Sequence, residues 1–216
     1  MSGIVHIVDD DDSFLVSTGR LLRASGYIVE TYESAEQLLR KLPNDADPSC
    51  ILLDIRIPGL SGPELQDQLS ALGSHLPIIF LTGHADVRTT VKVMKAGADD
   101  LLTKPVTKDE LIAAIERAIA HSRALRERND QISSMQALAD SLTPRERQVF
   151  DRVARGKMNK EIARELGATE RTIKARRSHI MEKLKIASVA ELVLIAERLR
   201  LLNEEPAEMR RSQRSQ

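Results

Sequence analysis

Four carboxylates stand in a row at Asp9, Asp10, Asp11 and Asp12, directly after the apolar stretch IVHIV. Like charges repel one another, and a strand end gives no folding reason to gather four of them. Farther along, Asp54 closes CILLD, Thr82 closes PIIFLT and Lys104 follows DLLT. Carboxylate oxygens suit a hard divalent cation, while a lysine and a hydroxyl can bind the oxygens of a phosphoryl group. Together these residues are equipped for phosphoryl transfer. Each also has a plainer use when taken singly. Asp11 and Asp12 would serve the start of a helix, where the dipole favours negative charge. Asp54 could be a turn residue before Pro58 and Gly59, Lys104 a surface lysine and Thr82 a strand-end cap. Asp9 and Asp10 fit the plainer use least well.

For these side chains to meet, the segments that carry them must end on one edge. Apolar runs bounded by turn residues recur at IVHIV, YIVETY, CILLD, PIIFLT and DLLTKP. They alternate with the helical patterns SFLVSTGRLLRAS, SAEQLLRKL, VRTTVKVMKAG and KDELIAAIERAI. Such alternation predicts a five-stranded parallel sheet, doubly wound, with helices on both faces. All five strands then finish at the crevice where open α/β sheets bind ligands.

The segments VDD, LLDIRIPGLSG, FLTGHAD and TKP, in this order, resemble the receiver domain of two-component response regulators, a flavodoxin-like fold, over roughly the first 120 residues. The resemblance implies that Asp54 is a nucleophile that takes a phosphoryl group from a phosphohistidine on a sensor histidine kinase. It implies Mg²⁺ as the cofactor, held by Asp10, Asp54 and the backbone carbonyl of Arg56, with Asp9 acting through water. Lys104 and Thr82 would bind phosphoryl oxygens, Thr82 moving on phosphorylation, and Lys104-Pro105 resembles the family's cis peptide. One position departs from the pattern. The family usually carries an aromatic three residues before the lysine, whose inward rotation accompanies the threonine shift, and Leu101 stands here. Arg56 and His84, two residues beyond Asp54 and Thr82, are expected to tune the lifetime of the phosphate. His6 and His75 show no ligand spacing and read as structural.

Residues 121–140, HSRALRERNDQISSMQALAD, lack Gly and Pro and predict a helical linker that continues IAAIERAI. SLTPRERQVF then opens a helix with Thr143 as N-cap, Pro144 at the first position and Glu146 at the third. KEIARELG ends at Gly167, and ATERTIKARRSHIMEKLK starts with Thr169 as its cap. Two helices joined by a tight Gly-containing turn, the second rich in cations, describe a helix-turn-helix. A further helix, SVAELVLIAERLRLL, closes a four-helix, all-α domain. In the cationic helix Ile173, Ile180, Met181 and Leu184 can face the core, leaving Lys174, Arg176, Arg177, Ser178 and Lys185 outward. Cations attract the phosphates of double-stranded DNA, and Lys, Arg and Ser can reach base edges.

LTPRERQVF, NKEIARELG, RTIKARRSHIMEKL and SVAELVLIA resemble the LuxR-type DNA-binding domain over roughly residues 138–202. By position, Lys174, Ala175 and Ser178 fall where that family meets bases. Thr172, Arg176, Arg177 and Lys183 fall nearer the DNA backbone. Ala175 and Arg176 replace the common Thr-His pair. Val189, Leu192, Val193 and Ala196 fall on the helix such domains use to dimerise, and some of them must also serve the core. The reading is a receiver over 1–120, a linker over 121–140, a DNA-binding domain over 141–202 and a disordered tail over 203–216.

Charge supports two jobs. Residues 1–120 hold 11 Lys and Arg against 18 Asp and Glu, a net of −7, and residues 121–216 hold 21 against 14, a net of +7. The basic half suits a polyanion. With aromatics at 2% and no Trp, the cores must be aliphatic. The single cysteine, Cys50, excludes an internal disulfide and reads as a small buried thiol. No signal-peptide pattern or membrane-length apolar stretch is present, so a cytoplasmic protein without membrane contact is expected. The joined halves resemble a FixJ/NarL-type response regulator, a transcription regulator rather than an enzyme. In that reading phosphorylation drives homodimerisation through the fourth helix and fifth strand, with the Lys92 and Lys95 face as the candidate surface. The dimer would bind a promoter and could meet RNA polymerase there. Two other classes stay open. A metal-dependent phosphohydrolase would need an acid/base carboxylate where Arg56 stands, and a DNA-binding regulator controlled by ligands or partners would not need phosphorylation.

Overall fold

The computed structural model describes residues 3–43, 47–83 and 87–204, and the chain divides between Arg128 and Asn129 into two compact units. In the first unit the β-branched and aliphatic runs form β1 (Ile4–Val8), β2 (Ile28–Tyr32), β3 (Ser49–Asp54), β4 (Ile78–Thr82) and β5 (Asp100–Thr103). They pair in parallel in the order β2-β1-β3-β4-β5. Between their ends β3 and β4 are apolar, from Cys50 to Leu53 and from Ile78 to Leu81, because both of their faces are covered. Alternate residues serve opposite cores, as the period of two requires. Ile7, Cys50, Leu52, Ile79 and Leu81 pack with α1 (Asp12–Ala24) and the start of α5 (Lys108–Asp140). Val8, Ile51, Leu53 and Phe80 pack with α2 (Ala35–Arg40), α3 (Gly62–Ala71) and Val93 of α4 (Val87–Lys95). The sheet is doubly wound, as the alternating pattern predicts.

Two buried polar residues are structural. His6 Nδ1 lies 3.2 Å from the Tyr32 hydroxyl, which donates to Glu30 at 2.8 Å. Burial holds the imidazole below its ordinary pKa, against the pull of the Glu30 carboxylate. Burial also pushes the Cys50 thiol up to about 12, which leaves it a packing group at neutral pH.

Helix α3 presses onto the strand ends through Gly62. Its N–H donates to the Ile55 carbonyl at 3.2 Å, and a Cβ there would lie 2.6 Å from the Asp54 carbonyl oxygen and 3.0 Å from the Phe80 ring. Alanine is ordinarily the better helix residue by up to about 1 kcal/mol, but here the clash with backbone outweighs that gain. Gly62→Ala is expected to cost about 1–3 kcal/mol, seen as a lower urea midpoint with an unchanged slope.

The second unit contains α6 (Pro144–Ala154), α7 (Asn159–Leu166), α8 (Glu170–Lys183) and α9 (Val189–Glu204). Local chemistry sets each boundary. Thr143 caps α6 with Glu146 closing a capping box, Gly167 ends α7 in the left-handed region at φ 61°, and Thr169 caps α8. Val149, Phe150, Ile162, Ile173, Ile180, Leu184 and Leu199 are buried together in its core. Met181, expected inward, is only half-buried. Helix α5 runs unbroken to Asp140 through the stretch without Gly or Pro. Among the described residues no helix is long and apolar enough to cross a membrane.

Candidate functional site

Parallel pairing delivers the polar residues to one edge. Val8 is level with Leu53, Asp54 with Leu81, and Thr82 with Thr103, so Asp9, Asp54, Thr82 and Lys104 leave the sheet together. Carboxylate oxygens of Asp9, Asp10 and Asp54 lie within 4.8 Å of one another. Lys104 Nζ donates to Asp9 Oδ2 and to Asp54 Oδ2, both at 2.6 Å, and sits 4.3 Å from the centre of the Phe14 ring. Asp54 is held by both oxygens, since the Arg56 N–H donates to Oδ1 at 2.9 Å. Asp9 is 1% exposed, and Asp10 lies at the solvent end of the cluster. Three carboxylates facing one ammonium leave a deficit of two positive charges, that of one divalent cation, and the donor set is the all-oxygen kind such ions take.

Burial raises the Asp9 carboxyl above its ordinary pKa, and the hydrogen bonds from Lys104 and the Asp11 N–H oppose this without overcoming it. Burial also works against the Lys104 ammonium, but hydrogen bonds to Asp54 and Asp9 more than compensate and lift its pKa above the usual lysine value. The pocket therefore keeps its lysine charged. Thr82 is 2% exposed at the end of β4, and its carbonyl accepts the Lys104 N–H at 2.7 Å. The Lys104-Pro105 peptide is cis. The rest of the acidic run serves the helix, as its dipole predicts. Asp11 caps α1 by accepting from the N–H groups of Ser13 and Phe14 at 2.8 and 3.3 Å, and Asp12 lies in its first turn.

Helix α8 presents Lys174, Ala175 and Ser178 to solvent, while Thr172, Arg176 and Arg177 are half-buried. Arg177 Nη1 donates to Asn159 Oδ1 at 2.6 Å, which ties α8 to the first residue of α7. Thr172 donates its N–H to the Thr169 hydroxyl at 3.2 Å. At the far end, Lys183 Nζ donates to Glu146 Oε2 at 2.7 Å, the same oxygen that accepts from the Thr143 N–H at 2.8 Å. The Lys183 hydrogen bond, helped by Thr143, depresses the Glu146 pKa to about 2 from an ordinary 4.5. A depressed folded-state pKa contributes stability above pH 4.5 that is lost as pH falls toward about 2. Glu146→Gln is therefore expected to cost about 1.5–3 kcal/mol at neutral pH. Thermal melts from pH 5 to pH 3 should show a smaller further loss in the variant than in the parent.

Residues 5–116 match the response regulator receiver domain family, and residues 140–196 match the luxR family of bacterial regulatory proteins. The chain is a response regulator. Nodulation protein W of Bradyrhizobium diazoefficiens is 42% identical to it over 196 residues, spanning 91% of this chain and 86% of that protein. The transcriptional regulatory protein FixJ of the same organism is 38% identical over 202 residues, spanning 94% and 98%. Among solved structures, the response regulator StyR aligns with a TM-score of 0.79 at 41% identity, over 92% of this chain and 100% of the other. A receiver followed by a LuxR-type helix-turn-helix makes this response regulator a DNA-binding transcription regulator of the FixJ/NarL type.

Two sets of residues singled out in the response regulator's sequence are engaged within their own domain. Leu192 and Ala196, expected on a dimer face, are 1% and 5% exposed in the core of their own domain. The spacing 192, 196, 199 is what closes that core, and among the described side chains of α9 the large exposed apolar ones are Val189 and Leu194, with Val193 half-buried. Lys183, expected toward the DNA backbone, has its ammonium engaged by Glu146. Leu101 lies half-buried on β5, level with Phe80. His84 and residues 205–216 lie outside the described residues. Sequence reading missed Phe14 beside Lys104 and Asn159 beside Arg177. The only local hint of the first is an aromatic in the first turn after the acidic run.

Proposed function

We propose that this response regulator accepts a phosphoryl group on Asp54 from a phosphohistidine of a sensor histidine kinase, and that the phosphorylated receiver dimerises and sets two α8 helices on a two-fold DNA site. The observation that carries this reading is the convergence of Asp9, Asp10 and Asp54 with Lys104 bridging two of them. An Asp54 carboxylate oxygen attacks phosphorus, the P–N bond breaks, and its electron pair leaves on the histidine nitrogen, which takes up a proton. Lys104 offsets charge on the phosphoryl oxygens, and the Thr82 hydroxyl donates to one of them. Asp10, Asp54 and the Arg56 carbonyl, with Asp9 through water, would hold Mg²⁺, which when bound supplies further positive charge to the transferring group. Arg56 stands where a phosphohydrolase would need an acid/base carboxylate, so the aspartyl phosphate is a stored state and not a turnover intermediate. The exposed Arg56 side chain governs its lifetime. Equal autodephosphorylation rates in Arg56→Ala and the parent would remove that role.

For dimerisation, α4 offers Val87, Val91 and Met94, all exposed, beside Lys92 and Lys95. A dimer on a promoter is then in place to meet RNA polymerase. The test is intact mass and light scattering of the full chain with a small phosphoryl donor, with Mg²⁺ or with chelator. One added phosphoryl group and a monomer-to-dimer shift, both lost in chelator, are expected. Leu101 alone favours a second reading, in which a ligand or partner controls DNA binding. A dimer shift without phosphate would support that one.

A further inference from the structure

We infer that Phe14 is a positioning residue for Lys104, the seat that holds the ammonium on the acidic pocket when no divalent cation is there. The inference rests on the metal and phosphoryl reading proposed above. Lys104 Nζ is bounded on three sides, by Asp9 Oδ2 at 2.6 Å, Asp54 Oδ2 at 2.6 Å and the Phe14 ring centre at 4.3 Å. An ammonium has three N–H groups. Two are taken by carboxylates, and the electron-rich face of the ring attracts the same cation.

The ring is fixed by the same acidic run. Asp11 caps α1 through the Phe14 N–H at 3.3 Å, and the side chain packs against the core shared by α1 and α5. Asp9 and Asp10 thus supply the pocket, while their neighbour sets the helix turn that carries the cation's seat.

The consequence is competition. The carboxylates that Lys104 pairs with, Asp9 and Asp54, belong to the set whose oxygens lie within 4.8 Å of one another. A divalent cation entering there displaces a cation that the chain itself supplies, and Phe14 makes that displacement harder. A ring that merely filled the core would be replaced by leucine with no effect on the metal. A ring that seats Lys104 would not.

The experiment is calorimetric titration of Mg²⁺ into the full chain, for the parent, Phe14→Leu, Phe14→Tyr, Lys104→Met and the Phe14→Leu/Lys104→Met double variant. Phe14→Leu is expected to bind Mg²⁺ about two- to fivefold more tightly, the scale of a partly exposed cation–π contact. Phe14→Tyr, which keeps the aromatic face, should match the parent. In the Lys104→Met background Phe14→Leu should change nothing. Equal shifts in both backgrounds, or no shift in either, would overturn the inference. Proton NMR reads the seat without metal. The Lys104 ε-methylene signals should be moved upfield by the ring in the parent and return to ordinary lysine positions in Phe14→Leu, and ordinary positions in the parent would also overturn it. A parent whose ε-methylene is shifted but which takes up no Mg²⁺ would retain the seat, and would overturn the competition together with the metal reading of the pocket.

Discussion

Asp54→Ala is expected to take up no phosphoryl group, a loss of more than roughly a thousandfold in rate, while remaining folded. The neighbouring carboxylates do not substitute. Asp9 is buried, with one oxygen on Lys104 and the other accepting the Asp11 N–H at 3.0 Å. Asp10 is exposed at the rim. Asp54 alone joins partial exposure of its side chain to a lysine at one oxygen and a backbone N–H at the other, which aims the carboxylate outward from the strand end. Removing it leaves Lys104 paired with Asp9 and relieves carboxylate repulsion, so circular dichroism and the melting temperature should change little. Intact mass after incubation with Mg²⁺ and a small phosphoryl donor checks the prediction. One added phosphoryl group on Asp54→Ala at the parent's rate would place the acceptor elsewhere and end the proposed mechanism.

The pocket was legible in the sequence because its residues sit at strand ends, and a parallel sheet carries all its strand ends to one edge. Finding Asp9, Asp54, Thr82 and Lys104 required only strand boundaries, without any packing detail. The helix ends were legible for a similar reason. Thr143, Pro144, Glu146, Gly167 and Thr169 act on their own backbone within a turn. What stayed hidden depends on where separate helices cross. Lys183 meets Glu146 across 37 residues and Arg177 meets Asn159 across 18, and neither pair has a sequence spacing to betray it. Helix α9 hid its inward residues in another way. VAELVLIAERL is apolar on more than one face, so periodicity could not tell Leu192, which closes the core, from Val189, which does not.

The same distinction between outward and engaged cations yields the second large expected effect. Lys174→Ala is expected to weaken binding to a duplex selected by the parent by about 5- to 150-fold, the scale of one base-edge contact, and to relax preference at one base pair. Lys174 is exposed on α8, and replacing it breaks no side-chain pairing that holds the helix in place. Arg176→Ala, at a half-buried position that the LuxR-type resemblance assigns to the DNA backbone, should weaken all duplexes alike and lower the slope of log affinity against log salt by about one. Lys183→Ala is the contrasting case. Its ammonium is bound to Glu146, so its removal should lower the domain's melting temperature while leaving the salt slope unchanged. Fluorescence anisotropy at several salt concentrations separates the three. A salt slope that falls by one in Lys183→Ala would mean that the ammonium leaves Glu146 for a phosphate when DNA binds, and would make that ion pair a competitor of the DNA in place of a brace for the helix.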